Sequence, residues 1–312
     1  MLVDLAACNP PAAVIVIENP DRTEGEGLLT SLLAPLHPLR EQFVAVTGLG
    51  LDGVDEEGEA LLVRRTTSVR NGDEERSLSF LTAGPASGLR VVFVHGSPGG
   101  AIEWGPILAN APQGQYRLAP DRPGFGETRP AEPVTSLTGQ ADAIAPLVRD
   151  PRGGKAIVVG YSYGGAVALR SALDMPDQIG GLVLVGSAAD PTREEIHPLQ
   201  TLASLDAFSW MLPSDLGNSN AELLALGPEL EALRERLPEL RVPVTIVHGL
   251  EDNLVSVENV LYLRERLSGS MKVRLILVES GDHFLPWTHP EQIEAAVSCA
   301  IEDMKGAGGN ER

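Results

Sequence analysis

The pentapeptide Gly160-Tyr161-Ser162-Tyr163-Gly164 sets a serine between glycines at the corner between two apolar runs. "KAIVVGYS" ahead of it is β-branched, as strands are, and "GGAVALRSAL" behind it reads as a helix. A G-x-S-x-G sequence in that context forces the serine into a strained backbone conformation and lifts its hydroxyl above a sheet. Side chains at 160 and 164 would collide with the neighbouring strand and helix. Tyr163 opens the helix, so its backbone N–H faces the reaction centre, where the positive end of the helix dipole helps hold an oxyanion. The bland alternative is a glycine-rich turn with an incidental serine, and the flanking strand and helix count against it.

A serine hydroxyl is a poor nucleophile without a base. The chain offers His37, His95, His197, His248, His283 and His289. His283 stands in "LVESGDHFLPW", just past the last strand-like run, where a loop shares the sheet edge with Ser162. His95 and His248 end strands before glycine, which suits loop packing. His197 falls in a helical insert, His289 lies shortly before the last helix, and His37 lies in the N-terminal part, which has no clear pattern.

The base needs a carboxylate to fix its tautomer and steady the imidazolium. "VTIVHGLEDNLVS" ends a strand and supplies Glu251 and Asp252, of which Asp252 is preferred. Asp190, after the preceding strand, is the substitute. Asp282 adjoins His283, but adjacent side chains rarely point the same way. A second oxyanion donor belongs in the loop His95-Gly96-Ser97-Pro98-Gly99-Gly100, with the Ser97 amide aimed at the site. By itself that loop is also an ordinary glycine- and proline-rich turn.

The elements that must bring these residues together alternate along the chain. Strand runs read "LRVVFVHG", "YRLAPDRPG", "KAIVVGYS", "IGGLVLVGS", "VPVTIVHG" and "MKVRLILVES". Helical runs between and after them read "SLTGQADAIAPLV", "GGAVALRSAL", "VENVLYLRERL" and "PEQIEAAVSCAIEDM". Strands apolar on both faces and alternating with helices predict a doubly wound, mostly parallel α/β sheet. "ALLVRRTTSV" and "RSLSFLTAG" flank Asn71-Gly72 as a hairpin. "AVIVI" near the start suits a short strand, and "LLTSLLAPL" a short helix.

Residues 191–241 break the alternation. They read as helices: "PLQTLASLDAFSWML" first, then one starting at the capping-box pair Ser219 and Glu222, then one from Pro228. This predicts a helical cap, 191–241, inserted into a core of residues 61–190 and 242–312 after an N-terminal extension, 1–60, of unclear structure. The cap should cover the carboxyl ends of the strands, where open α/β sheets bind ligands. Its apolar content, including Leu202, Leu205 and Phe208, suits a substrate wall or plain cap–core packing. Trp210 and Met211 are the best candidates for lining, beside the bend at "LPSD".

Composition excludes several partners. Acidic residues number 43 against 24 basic ones, of which three are lysines, for a net charge of −19. That disfavours nucleic acid and anionic membrane surfaces. No apolar stretch reaches the roughly 18 residues of a membrane-spanning helix. No histidine or cysteine cluster has metal-ligand spacing, and no dinucleotide fingerprint follows a strand, so no metal or organic cofactor is expected. Cys8 and Cys299 imply no disulfide framework. "LAAC" near the start is like a lipoprotein cleavage site, but too few residues precede it and none is basic. The expected location is the cytoplasm, with a lipoprotein or exported form if the natural chain starts upstream.

Taken in order, "HGSPGG", "DRPGFGET", "GYSYGG", "HGLEDNLV" and "GDHF" resemble the alpha/beta-hydrolase fold, in its branch with a short helical cap, over roughly residues 60 to 304. The order Ser162, Asp252, His283 is that family's order. The resemblance implies a triad of those three residues and oxyanion amides at Ser97 and Tyr163. "HGSPGG" is similar to the "HGGPG" of proline iminopeptidases, but Tyr163 replaces the tryptophan those enzymes usually carry after the serine. Epoxide hydrolases and haloalkane dehalogenases of this fold use aspartate where this chain has Ser162. The first 60 residues match nothing in the family.

The resulting expectation is a serine hydrolase acting on a small molecule, foremost a carboxylesterase for small to medium neutral esters. Amide, peptide and carbon–carbon bond hydrolysis use the same three residues. A ligand-binding protein that keeps the fold without turnover is the non-enzymatic alternative, and no residue of the predicted triad is missing.

Overall fold

The computed structural model describes residues 14–17, 62–71, 74–193 and 214–309. Its strands are β1 (Val14–Ile17), β2 (Val63–Asn71), β3 (Glu74–Ala83), β4 (Leu89–Val94), β5 (Gln115–Pro120), β6 (Ala156–Tyr161), β7 (Ile179–Val185), β8 (Val244–Gly249) and β9 (Val273–Val278). They form one sheet in the order β1-β9-β8-β7-β6-β4-β5-β3-β2. The pairs from β1 to β5 are all parallel. The β2–β3 hairpin closes the other edge antiparallel, with β3 against β5. The expected hairpin is therefore present, though its turn at 72–73 lies outside the described residues. "AVIVI" supplies β1, an edge strand in register with β9 from Val14↔Leu275.

Both sheet faces are covered, which is why the strand runs are apolar throughout. In β4, Val92 and Val94 join one core and Val91 and Phe93 the other. On the first face lie α2 (Leu137–Val148), α3 (Tyr163–Asp174), α4 (Ser214–Arg234) and α5 (Glu258–Arg266). The second face carries α1 (Gly105–Ala109) and α7 (Pro290–Gly309), and α6 (Leu285–Thr288) sits just before α7. Fully burying one such Val, Leu or Phe contributes roughly 1.5–3 kcal/mol, so each central strand anchors firmly on both sides.

The chain reverses its direction of winding at β4. It steps to β5 on one side, then returns to place β6 on the other. The carboxyl ends of β4 and β6 therefore flank a topological switch point, the crevice where open α/β sheets take ligands. The loop holding Ser97 leaves one of these strands, and Ser162 leaves the other.

The insert between β7 and β8 differs from its sequence reading in two respects. One helix, α4, replaces the last two expected and runs through Gly227-Pro228, while the first expected helix lies outside the described residues. Ser219, Glu222, Leu226, Leu230 and Leu233 form a buried stripe at helical spacing across that break. Packing along the stripe offsets the backbone bond that Pro228 cannot make. The helix also starts at Ser214, five residues ahead of the capping-box pair. Ser219 and Glu222 are buried mid-helix and bond other parts of the chain rather than the helix end. Residues 194–213 lie outside the described residues, and with them His197 and the expected lining residues Trp210 and Met211.

No described helix is long and apolar enough to cross a membrane. Cys299 on α7 is disulfide-bonded, which cysteine spacing did not foretell because proximity in the fold, not spacing, decides pairing.

Candidate active site

Ser162 sits between the end of β6 and the first residue of α3 with φ 53° and ψ −123°. It is the one described non-glycine residue with positive φ. That backbone matches the first central position of a type II′ turn, where glycine is normally required. Three glycines make the corner possible. A Cβ on Gly160 would strike the Gly164 carbonyl, one on Gly164 would strike the Val94 and His95 carbonyls, and one on Gly165 would strike the Ser187 side chain. The glycines thus let α3 start directly against the ends of β4, β6 and β7. The strain at Ser162, of order 1–3 kcal/mol, is sustained by hydrogen bonds from its N–H to Val185 and from Gly165 N–H to its carbonyl.

His283 follows β9 and its imidazole reaches both partners. Its Nε2 lies 3.1 Å from Ser162 Oγ, and its Nδ1 lies 2.7 Å from Asp252 Oδ2. Asp252 turns inward after β8, with its side chain fully buried. Its other oxygen accepts the Leu254 and Val255 N–H groups at 2.9 and 2.8 Å. Burial pushes the Asp252 carboxyl up, but the His283 hydrogen bond, the imidazole charge and the Val255 amide outweigh it and hold the group below its usual range. The carboxylate is therefore ionised and aimed at Nδ1, which fixes the tautomer with Nε2 free to face the serine.

The competing carboxylates point elsewhere. Asp190 Oδ1 accepts from the Thr192 N–H and hydroxyl. Asp282 Oδ1 accepts the Phe284 N–H. His248 is buried 3.8 Å from Asp252 Oδ2, and its Nε2 bonds the Val255 carbonyl at 3.1 Å. Burial lowers its pKa, so it donates as a neutral ring and braces the Asp252 loop. His289 bonds the neighbouring Thr288 hydroxyl.

The loop after β4 meets the serine from the other side. A Cβ on Gly96 would come 3.1 Å from the Ser162 Cβ, so Ser97 stands one residue from the Ser162 corner. Tyr163 N–H belongs to the first turn of α3, where helical amides lack internal acceptors. His95 is buried, and its Nε2 accepts the Arg122 N–H at 2.9 Å while Nδ1 lies 2.8 Å from the Gly96 carbonyl. Burial and the Arg122 charge push its pKa well down, leaving it neutral as a loop brace.

Several site groups escaped the sequence reading. The Tyr161 ring lies 5.2 Å from the His283 ring and 5.8 Å from that of Trp287, giving the imidazole an aromatic bed. Arg122, in "DRPGFGET", and Glu222, on α4, form a fully buried ion pair beside the Ser97 loop. Glu103 lies buried beneath the same loop. Its Oε1 accepts Gly100 N–H at 3.1 Å, and its Oε2 has no hydrogen-bond partner among the described residues.

Burial pushes the Glu103 carboxyl up to about 8, against the pull of the Gly100 amide. The folded protein therefore keeps a proton that the unfolded chain loses near pH 4.5. Stability falls as pH rises through the window from 4.5 to about 8, by up to about 1.4 kcal/mol per unit from this group. Glu103→Gln mimics the protonated acid and removes that slope. The Tm of the variant minus that of the native protein should grow steadily from pH 5 to 8. A constant difference would show that Glu103 ionises normally.

Comparisons with known proteins identify the family. Residues 91–296 match the alpha/beta hydrolase family. The chain is 28% identical over 249 residues to a pimeloyl-[acyl-carrier protein] methyl ester esterase of Neisseria meningitidis serogroup A, covering 69% of this chain and 77% of that protein. It is 28% identical over 273 residues to a 2-hydroxy-6-oxononadienedioate/2-hydroxy-6-oxononatrienedioate hydrolase of a Pseudomonas species, covering 73% and 93%. Among solved structures, an esterase from Exiguobacterium antarcticum superposes with a TM-score of 0.59 at 21% identity, covering 76% of this chain and all of that one. The fold, the ordered motifs and these matches lead to one conclusion: the chain belongs to the alpha/beta hydrolase family and is a hydrolase.

Proposed function

We propose that the protein is a carboxylic-ester hydrolase that works through an acyl-serine intermediate. The observation that carries this reading is the hydrogen-bonded series Asp252–His283–Ser162, at 2.7 and 3.1 Å. Ser162 Oγ attacks the ester carbonyl carbon while His283 Nε2 takes its proton. The carbonyl oxygen becomes an oxyanion held by the Ser97 and Tyr163 amides. Collapse expels the alcohol, which takes the proton back from His283. Water then repeats the sequence on the acyl group and releases the acid and free serine.

Each part has a known scale. General base catalysis contributes about 10²–10⁴, and each oxyanion donor about 10²–10³. Asp252 serves by keeping Nδ1 protonated and by stabilising the imidazolium formed in both attack steps.

The proposed substrates are small to medium neutral esters. A net charge of −19 opposes anionic substrates, although salt screens exposed charges beyond about 10 Å. Trp210 and Met211 are proposed to line an apolar wall that selects the acyl or alcohol group, on the strength of their place in the apolar insert. A second reading, hydrolysis of a dioate like that in the Pseudomonas relative's name, fits the same three residues but meets this charge.

The test is kcat/KM across p-nitrophenyl esters from acetate to palmitate, repeated with Trp210→Ala. The highest values should fall among the short chains, and the variant should shift the maximum toward longer ones. A maximum at palmitate, or a profile untouched by the substitution, would contradict this substrate class.

A further inference from the structure

The buried pair Arg122–Glu222 is unusual in what it grips. Glu222 lies in the middle of α4, within the segment inserted between β7 and β8. Its two oxygens accept four hydrogen bonds. Oε1 takes Arg122 Nη1 at 2.6 Å and Gln140 Nε2 at 2.7 Å, while Oε2 takes Arg122 Nη2 at 3.0 Å and the Ser97 hydroxyl at 2.6 Å. The Ser97 hydroxyl also lies 3.0 Å from Ser219 Oγ, one turn back on the same helix.

Arg122 holds the neighbouring residues. Its Nε donates to the His95 carbonyl at 3.1 Å and its Nη2 to the Gly96 carbonyl at 2.6 Å. Its guanidinium also stacks 4.7 Å from the centre of the Tyr163 ring. Three consecutive residues of the loop, 95 to 97, are thus fixed by one charged pair, which also touches the residue supplying the other proposed oxyanion amide. A turn of this composition has ample freedom of its own. A fully desolvated ion pair is costly to maintain and is often no more stable than an apolar replacement, so stability is a weak reason for its presence.

We propose that Glu222 is a positioning residue, which fixes the Ser97 peptide for the oxyanion through the Ser97 hydroxyl. The inserted helix and the oxyanion loop then form one mechanical unit, and the hole is complete only while α4 is docked. This rests on the reading of Ser97 as an oxyanion donor. Burial raises the Glu222 carboxyl despite Arg122 and Ser97, but four donors on two oxygens keep the acceptor geometry.

The experiment uses the full chain with p-nitrophenyl acetate and a trifluoromethyl ketone, which forms a tetrahedral adduct on serine. Ser97→Ala deletes the hydroxyl and keeps the amide. It should lower kcat about tenfold with KM within twofold, and should weaken the ketone by a similar factor, because the loss appears only when the oxyanion forms. Ser97→Thr keeps the hydroxyl and should restore most of the rate. Glu222→Gln should lower kcat at least as far, and adding Ser97→Ala to it should cost little more, since both act through one bond. If Glu222→Gln fails to fold, the Ser97 series alone decides. A kcat within twofold of native for Ser97→Ala, or a ketone affinity that does not follow kcat, would overturn the proposal. Ser162→Ala, run alongside, separates the two levels. Full activity in that variant would remove the acyl-serine reading itself, whereas its inactivity together with an unaffected Ser97→Ala removes only the positioning role.

Discussion

Ser162→Ala should abolish ester hydrolysis, with kcat falling by about 10⁶, the scale seen when a serine hydrolase loses its nucleophile. The loss should not come from unfolding. Alanine meets the same φ of 53° as serine does, so it inherits the strain without adding to it, and no described hydrogen bond of the fold depends on Oγ except that to His283. Tm should therefore stay within a few degrees of native. Ser162→Gly makes the complementary case. Glycine adopts this conformation freely, so the variant should be as inactive as alanine yet more stable, by about 1 kcal/mol or more from relief of strain. A nucleophile held at a cost to stability gives that pairing of lost rate with gained Tm. An incidental serine in a turn would give neither.

The second large effect is at Asp252. Asp252→Asn should reduce kcat by about 10⁴, by analogy with the serine-protease triad, where the amide leaves the imidazole in the wrong tautomer. The geometry supplies the reason. Oδ2 accepts from His283 Nδ1 at 2.7 Å while Oδ1 is occupied by two backbone amides. An asparagine satisfies those amides with its carbonyl oxygen and so turns its NH₂ toward Nδ1. The ring then carries its proton on Nε2, facing Ser162, where it cannot act as a base. Asp190→Asn should leave kcat within a few-fold, because among the described residues Asp190 serves Thr192 and no imidazole. A larger loss at Asp190 than at Asp252 would reverse the assignment.

The parts legible in the sequence were those set by local constraints. Strands buried on both faces read as unbroken apolar runs, and all six from "LRVVFVHG" to "MKVRLILVES" appear near their expected bounds. Ser162 was legible because the close approach of α3 to the ends of β4 and β6 demands glycines at 160 and 164. Asp252 and His283 were legible because they follow strand ends that must share one edge of a parallel sheet. What sequence reading missed is non-local. Glu222 and Arg122 are 100 positions apart, and the pattern Ser219…Glu222 reads as a capping box until burial places both inside a longer helix. Glu103 and Tyr161 looked like ordinary residues of a turn and a strand, and only packing against Gly100 and His283 gives them roles. Pro228 looked like a helix boundary because the leucine stripe that carries α4 across it depends on a core assembled elsewhere.

The most direct measurement is covalent labelling. A fluorophosphonate reacts fastest with a serine activated by a base in an oxyanion-binding site, so rapid labelling reports nucleophile, base and hole together. Incubation of the native protein followed by peptide mass analysis should find a single modified peptide spanning Ser162, absent in Ser162→Ala and strongly slowed in Asp252→Asn. Modification of any other serine, or no modification of a protein that still cleaves p-nitrophenyl acetate, would contradict the account.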